Sequence, residues 1–264
     1  MNFNNKIIWI TGASSGIGEA LAYEFAKVGA KLILSSRRKE ELEKVKLNCA
    51  LSEENIMILP LDLEKHDDYS IEVSEVIGKF GRIDILINNG GISSRAMVVD
   101  SSLEIDKRMM NINYFGTISL TKTVLPIMIK QQSGHLVVIS SGMGKFGLPL
   151  RSAYAASKHA LHGFFDTLRL EIWKDNISIT IICPGFVKTN VSYNAITPSG
   201  KKLKKMNPEQ ENGMLPDVLA KKILKAIKKV KMEVYFGKQE SLAIYIKRYW
   251  PSFLLRRLKK MKFN

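Results

Sequence analysis

The chain has 264 residues, of which 45% are apolar and 25% are charged. This is ordinary globular usage, which excludes a mainly disordered chain, a collagen-like repeat and a disulfide-rich scaffold. The length suits one large α/β domain, with or without a tail. The two cysteines, Cys49 and Cys183, have no second pair and no metal-ligand spacing, so we expect a reducing, cytoplasmic location and no metal.

The net charge of +15 is concentrated at the end of the chain. Residues 1–200 carry 22 basic and 20 acidic side chains, whereas residues 201–264 carry 18 and 5. A nucleic-acid-binding body is therefore disfavoured, and a basic appendage is favoured. The polar start does not resemble a signal peptide, and no apolar run approaches the roughly 18 residues needed to span a bilayer. We expect no targeting or membrane-spanning segment.

Short apolar runs alternate with helix-like stretches along the chain. The runs are continuous and rich in Ile and Val, which is typical of strands buried on both faces of a parallel sheet. The predicted strands are 7–10, 32–34, 56–61, 83–87, 136–139, 177–182 and 234–236. The predicted helices are 16–28, 38–49, 66–79, 102–131, 152–174 and 216–230. This order predicts a single Rossmann-type α/β fold, with a doubly wound, seven-stranded parallel sheet and helices on both faces.

The domain organisation follows from these elements. Residues 1–237 are predicted to form one dinucleotide-binding domain, and residues 238–264 a basic amphipathic helical tail. Within the domain, residues 190–215 combine Pro, Gly and Lys with few apolar residues. That composition predicts a long substrate loop or lid.

A glycine-rich turn, Thr11-Gly-Ala-Ser-Ser-Gly-Ile-Gly18, follows the first predicted strand. Glycine lets the backbone approach a phosphate, and the next helix offers free N–H groups and its positive end to that anion. Ser14 and Ser15 add hydroxyl donors. The spacing matches neither the G-x-G-x-x-G fingerprint nor a Walker loop, so a plain glycine-rich turn is the alternative.

The second predicted strand ends in Ser35-Ser-Arg-Arg38, without the acidic residue that accepts bonds from the adenosine ribose. A guanidinium holds a 2′-phosphate well, so Arg37 and Arg38 predict NADP(H), with NAD(H) less favoured. Solvated arginines at the start of a surface helix are the alternative. Asp62 and Asn88-Asn-Gly-Gly91 end the next two strands and are expected in the same crevice.

Tyr154 and Lys158 are four residues apart on a predicted helix and therefore share a face. A phenol titrates near 10, and a nearby ammonium is expected to lower that pKa and make Tyr154 a proton donor. Ser141 ends the fifth strand, where it can donate to the same substrate oxygen. A chance pair on an amphipathic helix is the alternative.

Taken together, these motifs resemble the short-chain dehydrogenase/reductase family over roughly residues 5–237. The match includes Thr11 to Gly18, Asn88 to Gly91, Asn113, Ser141, Tyr154, Lys158 and Pro184-Gly185. The sequences around Asn113 and Tyr154 further resemble the branch with dehydrogenase/reductase member 7B and the 11-beta-hydroxysteroid dehydrogenases. One departure is Gly90, where the family has alanine, and the missing methyl is expected to loosen packing slightly.

The resemblance implies a role for each site residue. Tyr154 would be the general acid/base, Lys158 would lower its pKa and bond the nicotinamide ribose, Ser141 would hold the carbonyl and Asn113 would support a proton relay. The implied cofactor contacts are Gly12, Ser14, Ser15, Gly16, Ile17, Gly18, Asp62, Leu63, Asn89, Gly90, Pro184, Gly185, Val187 and Thr189. The family also implies a homodimer or homotetramer through helices near 102–131 and 152–174.

The favoured reading is an NADP(H)-dependent oxidoreductase acting on a carbonyl or secondary alcohol of an apolar small-molecule substrate. A non-catalytic dinucleotide-binding regulator and a membrane or nucleic-acid adaptor are the alternatives. An apolar pocket for a bulky ketone is predicted from Met143, Phe146, Leu148, Phe186 and Tyr193. His135, His159 and His162 are not expected to form a ligand set with Cys183.

The tail has two amphipathic segments separated by Pro251. The first places Leu242, Tyr245, Ile246 and Tyr249 at helical spacing. The second places Leu254, Leu258 and Met261 on one side, with Arg256, Arg257, Lys259, Lys260 and Lys262 around them. This pattern predicts peripheral attachment to the anionic inner face of a membrane. Packing of the same stripe on the domain or on a partner subunit is the alternative.

Overall fold

A computed structural model describes residues 2–65, 68–237 and 239–260. The strands are β1 (Ile7–Thr11), β2 (Lys31–Ser35), β3 (Ile56–Ile58), β4 (Ile85–Asn88), β5 (Gly134–Ile139), β6 (Ile177–Pro184) and β7 (Glu233–Phe236). The helices are α1 (Gly16–Lys27), α2 (Lys39–Cys49), α3 (Ser70–Phe80), α4 (Leu103–Met110), α5 (Gly116–Gln131), α6 (Ser152–Glu171), α7 (Pro208–Glu211), α8 (Pro216–Lys228), α9 (Gln239–Tyr249) and α10 (Pro251–Lys259).

All strands pair in parallel in one sheet, in the order β3-β2-β1-β4-β5-β6-β7. Alternate residues of a strand face opposite sides of the sheet, and both sides are covered by helices. In β1, Ile8 and Ile10 pack with α1, α2 and α8, while Ile7 and Trp9 pack with α3, α5 and α6. The predicted Rossmann-type fold is therefore confirmed.

Several elements differ from the sequence prediction, among them β3, which was predicted over 56–61 and ends at Ile58. The predicted helix 102–131 is interrupted by a π-helical turn at Asn111–Phe115, which separates α4 from α5. The fourth strand begins at Ile85 rather than at residue 83. Just before it, the carboxylate of Asp84 accepts hydrogen bonds from the backbone N–H of Ile7 at 2.9 Å and from Lys6 Nζ at 3.0 Å. Residues 66 and 67 of the predicted helix 66–79 lie outside the described residues, and α3 begins at Ser70.

In the sheet, β2 and β4 lie on opposite sides of β1, so the chain connections leave β1 in opposite directions. This arrangement opens a crevice at the carboxyl ends of these strands. The Thr11 hydroxyl joins the ends of β1 and β4, because it accepts hydrogen bonds from the backbone N–H groups of Asn89 at 3.0 Å and Gly90 at 2.9 Å. The amide of Asn89 donates in return to the Thr11 carbonyl at 2.9 Å. This crevice is where ligands bind in open α/β sheets.

The predicted substrate loop, residues 190–215, is folded against the domain. Ile196 forms isolated bridges with Ser94 and Lys202, and Met214 with Val187. Ser192 and Ala195 are buried. The segment is thus anchored beside the crevice at both of its ends.

The tail forms α9 and α10, which contact the domain along one side. Ile244 and Leu254 are buried against Phe146. Met261 and Lys262, which the sequence placed in the second amphipathic segment, lie outside the described residues. Over the described ranges, no helix has both the length and the apolar content needed to cross a bilayer.

Candidate functional site

One cleft of about 500 Å³ opens at the carboxyl edge of the sheet. The sequence-predicted residues that line it are Gly12, Ser14, Ser15, Gly16, Ile17, Arg37, Arg38, Asp62, Leu63, Asn89, Gly90, Ser141, Tyr154, Lys158, Pro184, Gly185, Val187 and Thr189. Gly18 and Asn113 are not part of the lining. Gly18 packs beneath it against Gly12, and Asn113 lies behind Ile92.

The turn between β1 and α1 fits the pyrophosphate of a dinucleotide. Gly12 has a φ of +64°, and a Cβ there would lie 2.8 Å from the Cα of Gly90. A side chain is excluded both by the conformation and by this close approach. The turn leads to the first N–H groups of α1, whose partial positive charge favours a phosphate.

Gly90 does not loosen the packing as the sequence suggested. A Cβ at this position would lie 2.5 Å from Leu63 Cδ1. The Leu63 side chain, which is buried, already fills the space that an alanine methyl would take. The departure from the family pattern is therefore compensated by Leu63.

The two arginines after β2 differ in their surroundings. Arg38 Nη2 donates to Ser14 Oγ at 2.9 Å and to Ser15 Oγ at 3.1 Å, so its guanidinium reaches across to the phosphate turn. Arg37 is half-exposed, and its Nε lies 3.9 Å from Asp62 Oδ1. Arg38 is therefore better placed to hold an anion, while Asp62 partly offsets the charge of Arg37.

Tyr154, Ser141 and Lys158 meet at the other end of the cleft. The Ser141 hydroxyl is hydrogen-bonded to the Tyr154 phenol and accepts the backbone N–H of Met143 at 3.1 Å. Lys158 Nζ donates to the Ile139 carbonyl at 2.9 Å and lies 5.9 Å from the centre of the Tyr154 ring. Two hydroxyls thus point to one place where a substrate oxygen can bind.

The electrostatics of this group differ from the sequence prediction. Burial raises the pKa of the Tyr154 phenol, and the Ser141 hydrogen bond and the Arg151 charge act in the opposite direction. Burial also lowers the pKa of Lys158 to about 8. The predicted net lowering of the phenol pKa is wrong for this structure, because burial of Tyr154 outweighs the opposing hydrogen bond and charge. Tyr154 consequently stays protonated near neutral pH, which is the form that donates.

Arg151 is a site residue that the sequence analysis missed. Its side chain is buried, and Nη1 donates to Ser93 Oγ at 2.7 Å and to the Ser94 carbonyl at 2.8 Å. It has no carboxylate partner among the residues that the structure describes. Its position three residues before Tyr154, immediately before α6 begins at Ser152, was the signal that could have found it.

Asn113 lies in the π-helical turn and is fully buried. Its Oδ1 accepts the N–H of Ile92 at 2.8 Å, and its Nδ2 donates to the Ile92 carbonyl and to Ser157 Oγ, both at 3.0 Å. It therefore fixes the segment after β4 to α6, which carries Tyr154. Single π turns are often found at functional sites. The proton-relay role stays a prediction.

His162 and Cys183, which the sequence was not expected to bring into one ligand set, lie close together in the structure. His162 Nε2 lies 3.8 Å from Cys183 Sγ and 3.0 Å from Ser140 Oγ, and its Nδ1 lies 3.7 Å from Glu233 Oε2. Burial raises the pKa of the Cys183 thiol, and the Lys145 ammonium lies 2.9 Å from Glu233. Together with Glu233 and Ser140, His162 and Cys183 form a mostly buried polar cluster behind the Ser140-Ser141 turn.

The predicted apolar pocket is wrong in its residues. Phe146 and Leu148 pack against α9 and α10, and neither they nor Met143, Phe186 and Tyr193 belong to the cleft lining. The cleft lining instead includes Ile92 and Ile196, which share an apolar cluster with Tyr154, and also Ser93, Val191, Asn194 and Lys202.

Comparison with known proteins gives related sequences and folds. The short chain dehydrogenase family model matches residues 6–198. A dehydrogenase/reductase SDR family protein 7-like of Drosophila melanogaster is 42% identical over 252 residues, 94% of this chain and 77% of that protein. Dehydrogenase/reductase SDR family member 7B of Bos taurus is 42% identical over 259 residues, 96% of this chain and 80% of that protein.

Among solved structures, a short chain dehydrogenase/reductase from Burkholderia phymatum in complex with NAD superposes with a TM-score of 0.85. The superposition covers 100% of this chain and 99% of that chain at 20% identity. At this identity the likeness shows the fold alone, and it agrees with the order of strands described above.

The Arg151 charge can be tested on the phenol directly. We expect Arg151→Met to raise the Tyr154 pKa further, because a cation that favours the phenolate is lost, by on the order of one pH unit. Titration of protein carrying ¹³C-labelled tyrosine by NMR measures this, with Tyr154→Phe identifying the resonance. Arg151→Lys keeps the charge and should keep the pKa. Equal values for the Met and Lys variants would contradict the electrostatic role.

Proposed function

Because the chain belongs to the short-chain dehydrogenase family, we propose that it is an NADP(H)-dependent oxidoreductase acting on a carbonyl or secondary alcohol. The observation that carries the proposal is the Tyr154–Ser141 hydroxyl pair. It lies in the same cleft as a phosphate turn and two arginines. The same cleft extends from the end of β2 to that hydroxyl pair, and an extended dinucleotide requires such a continuous cleft.

The reaction proposed is a reversible transfer of a hydride and a proton. When bound, the nicotinamide dinucleotide supplies or accepts the hydride. For reduction, the Tyr154 hydroxyl donates its proton to the substrate oxygen, which becomes the alcohol oxygen, and a phenolate is left. The Ser141 hydroxyl donates to the same oxygen and holds it in place. In oxidation, the phenolate takes the hydroxyl proton back.

Two cations support the phenolate that reduction leaves behind. Arg151 lies buried beside the phenol, and it stays charged throughout the physiological pH range. Lys158, with its pKa of about 8, is mostly charged at neutral pH and loses its charge above about pH 8. Arg151 would then be the permanent cation, and Lys158 the group able to return a proton to Tyr154.

The preference for NADP(H) is supported by Arg38. Its guanidinium is fixed between the end of β2 and the serines of the phosphate turn, where the adenosine side of a dinucleotide would lie. Arg37 is nearby and half-exposed. Two guanidinium groups against one carboxylate leave an excess positive charge that suits a 2′-phosphate.

The substrate proposed is a small molecule with an apolar body. Ile92 and Ile196 share an apolar cluster with Tyr154. Val191 adds apolar lining to the same cleft, and Asn194 and Lys202 add polar lining. A carbonyl compound with one polar end fits this distribution.

A homodimer or homotetramer is also proposed, supported by the exposed Leu170 at the end of α6 and by Trp173 just after it.

The proton donor is tested by Tyr154→Phe. We expect a loss of about 10²–10⁴-fold in turnover, because the ring is kept and the donated proton is removed. NADPH oxidation with a panel of carbonyl compounds measures turnover, and NADPH fluorescence measures binding, which should persist. Tyr23→Phe on α1 is the matched control. Wild-type protein that binds NADPH but reduces nothing in the panel would favour a non-catalytic regulator.

The cofactor preference is tested by Arg38→Ala and Arg37→Ala. One charge-assisted contact contributes roughly tenfold to a hundredfold in affinity. Arg38→Ala should therefore weaken the binding of NADPH by that factor and leave the affinity for NADH nearly unchanged. Arg37→Ala should have a smaller effect because Asp62 partly neutralises it. Titration calorimetry with both dinucleotides measures this, with Lys39→Ala as the control. Equal affinity of the unmodified protein for NADPH and NADH would refute the preference.

A further inference from the structure

The outer face of α9 and α10 carries large apolar side chains that are mostly exposed, although the Tyr245 ring also makes an edge contact with Tyr235 of β7, with the ring centres 5.8 Å apart. Leu242, Tyr245 and Tyr249 follow one another at i, i+3 and i+7, and they are exposed by 59%, 54% and 67%. Trp250 and Phe253 continue the surface at the junction of the two helices, exposed by 65% and 49%. A contiguous apolar patch of this kind marks an interaction site rather than ordinary surface. We call these five residues the outer apolar patch.

The cations of the tail surround this patch. On α10, Arg256, Arg257 and Lys260 lie three, four and seven residues after Phe253 and therefore on its face of the helix. On α9, Lys247 and Arg248 are exposed next to Tyr249. Within the described part of the chain, none of these cations is in an ion pair.

Within residues 239–260, no acidic side chain opposes them on the outer side. Glu240 is the one acidic residue in 239–260, and its Oε1 accepts the backbone N–H of Phe186 at 3.0 Å. It therefore faces the domain. The partner of the outer face must accordingly present an apolar layer bordered by negative charge.

We propose that the outer apolar patch and its surrounding cations bind the surface of an anionic lipid bilayer. Tyrosine and tryptophan are favoured at the level of the lipid headgroups, and lysine and arginine pair with anionic lipids there. The inner face of the same helices is already buried through Ile244 and Leu254, so the helices lie along the surface without spanning it. The proposal does not depend on the reaction proposed above.

Cosedimentation with vesicles tests the binding. We expect the full chain to bind vesicles of equal parts phosphatidylcholine and phosphatidylserine and to be released as salt is raised, because exposed charges are screened. Binding to vesicles of phosphatidylcholine alone should be much weaker. Full-length protein that stays in the supernatant with the anionic vesicles at low salt overturns the proposal.

Charge variants separate this surface from the general basicity of the chain. Arg256→Glu with Arg257→Glu should lower the partition coefficient at least about tenfold. Lys221→Glu with Lys222→Glu, two adjacent exposed lysines of α8, changes the net charge equally and should change binding little. Equal losses in both double variants mean that net charge alone drives binding, and the proposed surface is then wrong.

Apolar variants test the rest of the patch and the competing occupant, a second copy of this chain. Trp250→Ser with Phe253→Ser should weaken vesicle binding, whereas Leu47→Ser with Ile71→Ser, exposed apolar residues of α2 and α3, should not. Thermal unfolding checks that all variants are folded. If sedimentation velocity without vesicles shows that the tail variant dissociates an oligomer, the patch is a subunit contact and the lipid proposal fails.

Discussion

The contact between the ends of β1 and β4 is the constraint on which the rest of the site depends. Thr11 and Asn89 exchange hydrogen bonds there, and the Gly12 backbone passes so close to Gly90 that neither residue leaves room for a side chain without displacing its neighbours. This contact sets the width of the crevice at the point where the strand order reverses. The phosphate turn on one side and the Tyr154 helix on the other are positioned relative to it, since Asn113 ties the chain after β4 to α6.

The cleft is also organised by positive charge. Arg38 lines one end and Lys158 the other, and Arg151 is buried next to the cleft, where it donates to Ser93. No carboxylate of the described residues pairs with any of these three. A buried guanidinium without a counter-ion is costly unless hydrogen bonds compensate it, and Arg151 obtains two from Ser93 and Ser94. Such an arrangement favours a ligand with negative charge at one end and a group that becomes negative at the other.

The fold could be predicted because each strand is a continuous apolar run in the sequence. The glycines and polar residues that follow these runs mark the carboxyl ends of the strands, which all lie at one edge of a parallel sheet. The roles at the site were harder to predict where they depend on which neighbour a side chain reaches. Sequence spacing placed Lys158 on the Tyr154 face but could not show that its ammonium bonds the Ile139 carbonyl. The sequence shows that Phe146 and Leu148 are apolar but not whether they face the cleft or the tail. The contact among His162, Cys183 and Glu233 could not be predicted, because these residues are far apart in the sequence.

The hydrogen bond between Glu240 and the backbone N–H of Phe186 has a consequence for how the protein is handled. Glu240 is in the first turn of α9, while Pro184 and Gly185, just before Phe186, border the cleft. A chain shortened before residue 239 would leave that N–H without its acceptor and would uncover Gly185, against which the Glu240 side chain packs. Truncation would therefore alter the rim of the cleft as well as remove the tail, and catalytic constants of shortened and full-length chains would differ for reasons of local geometry.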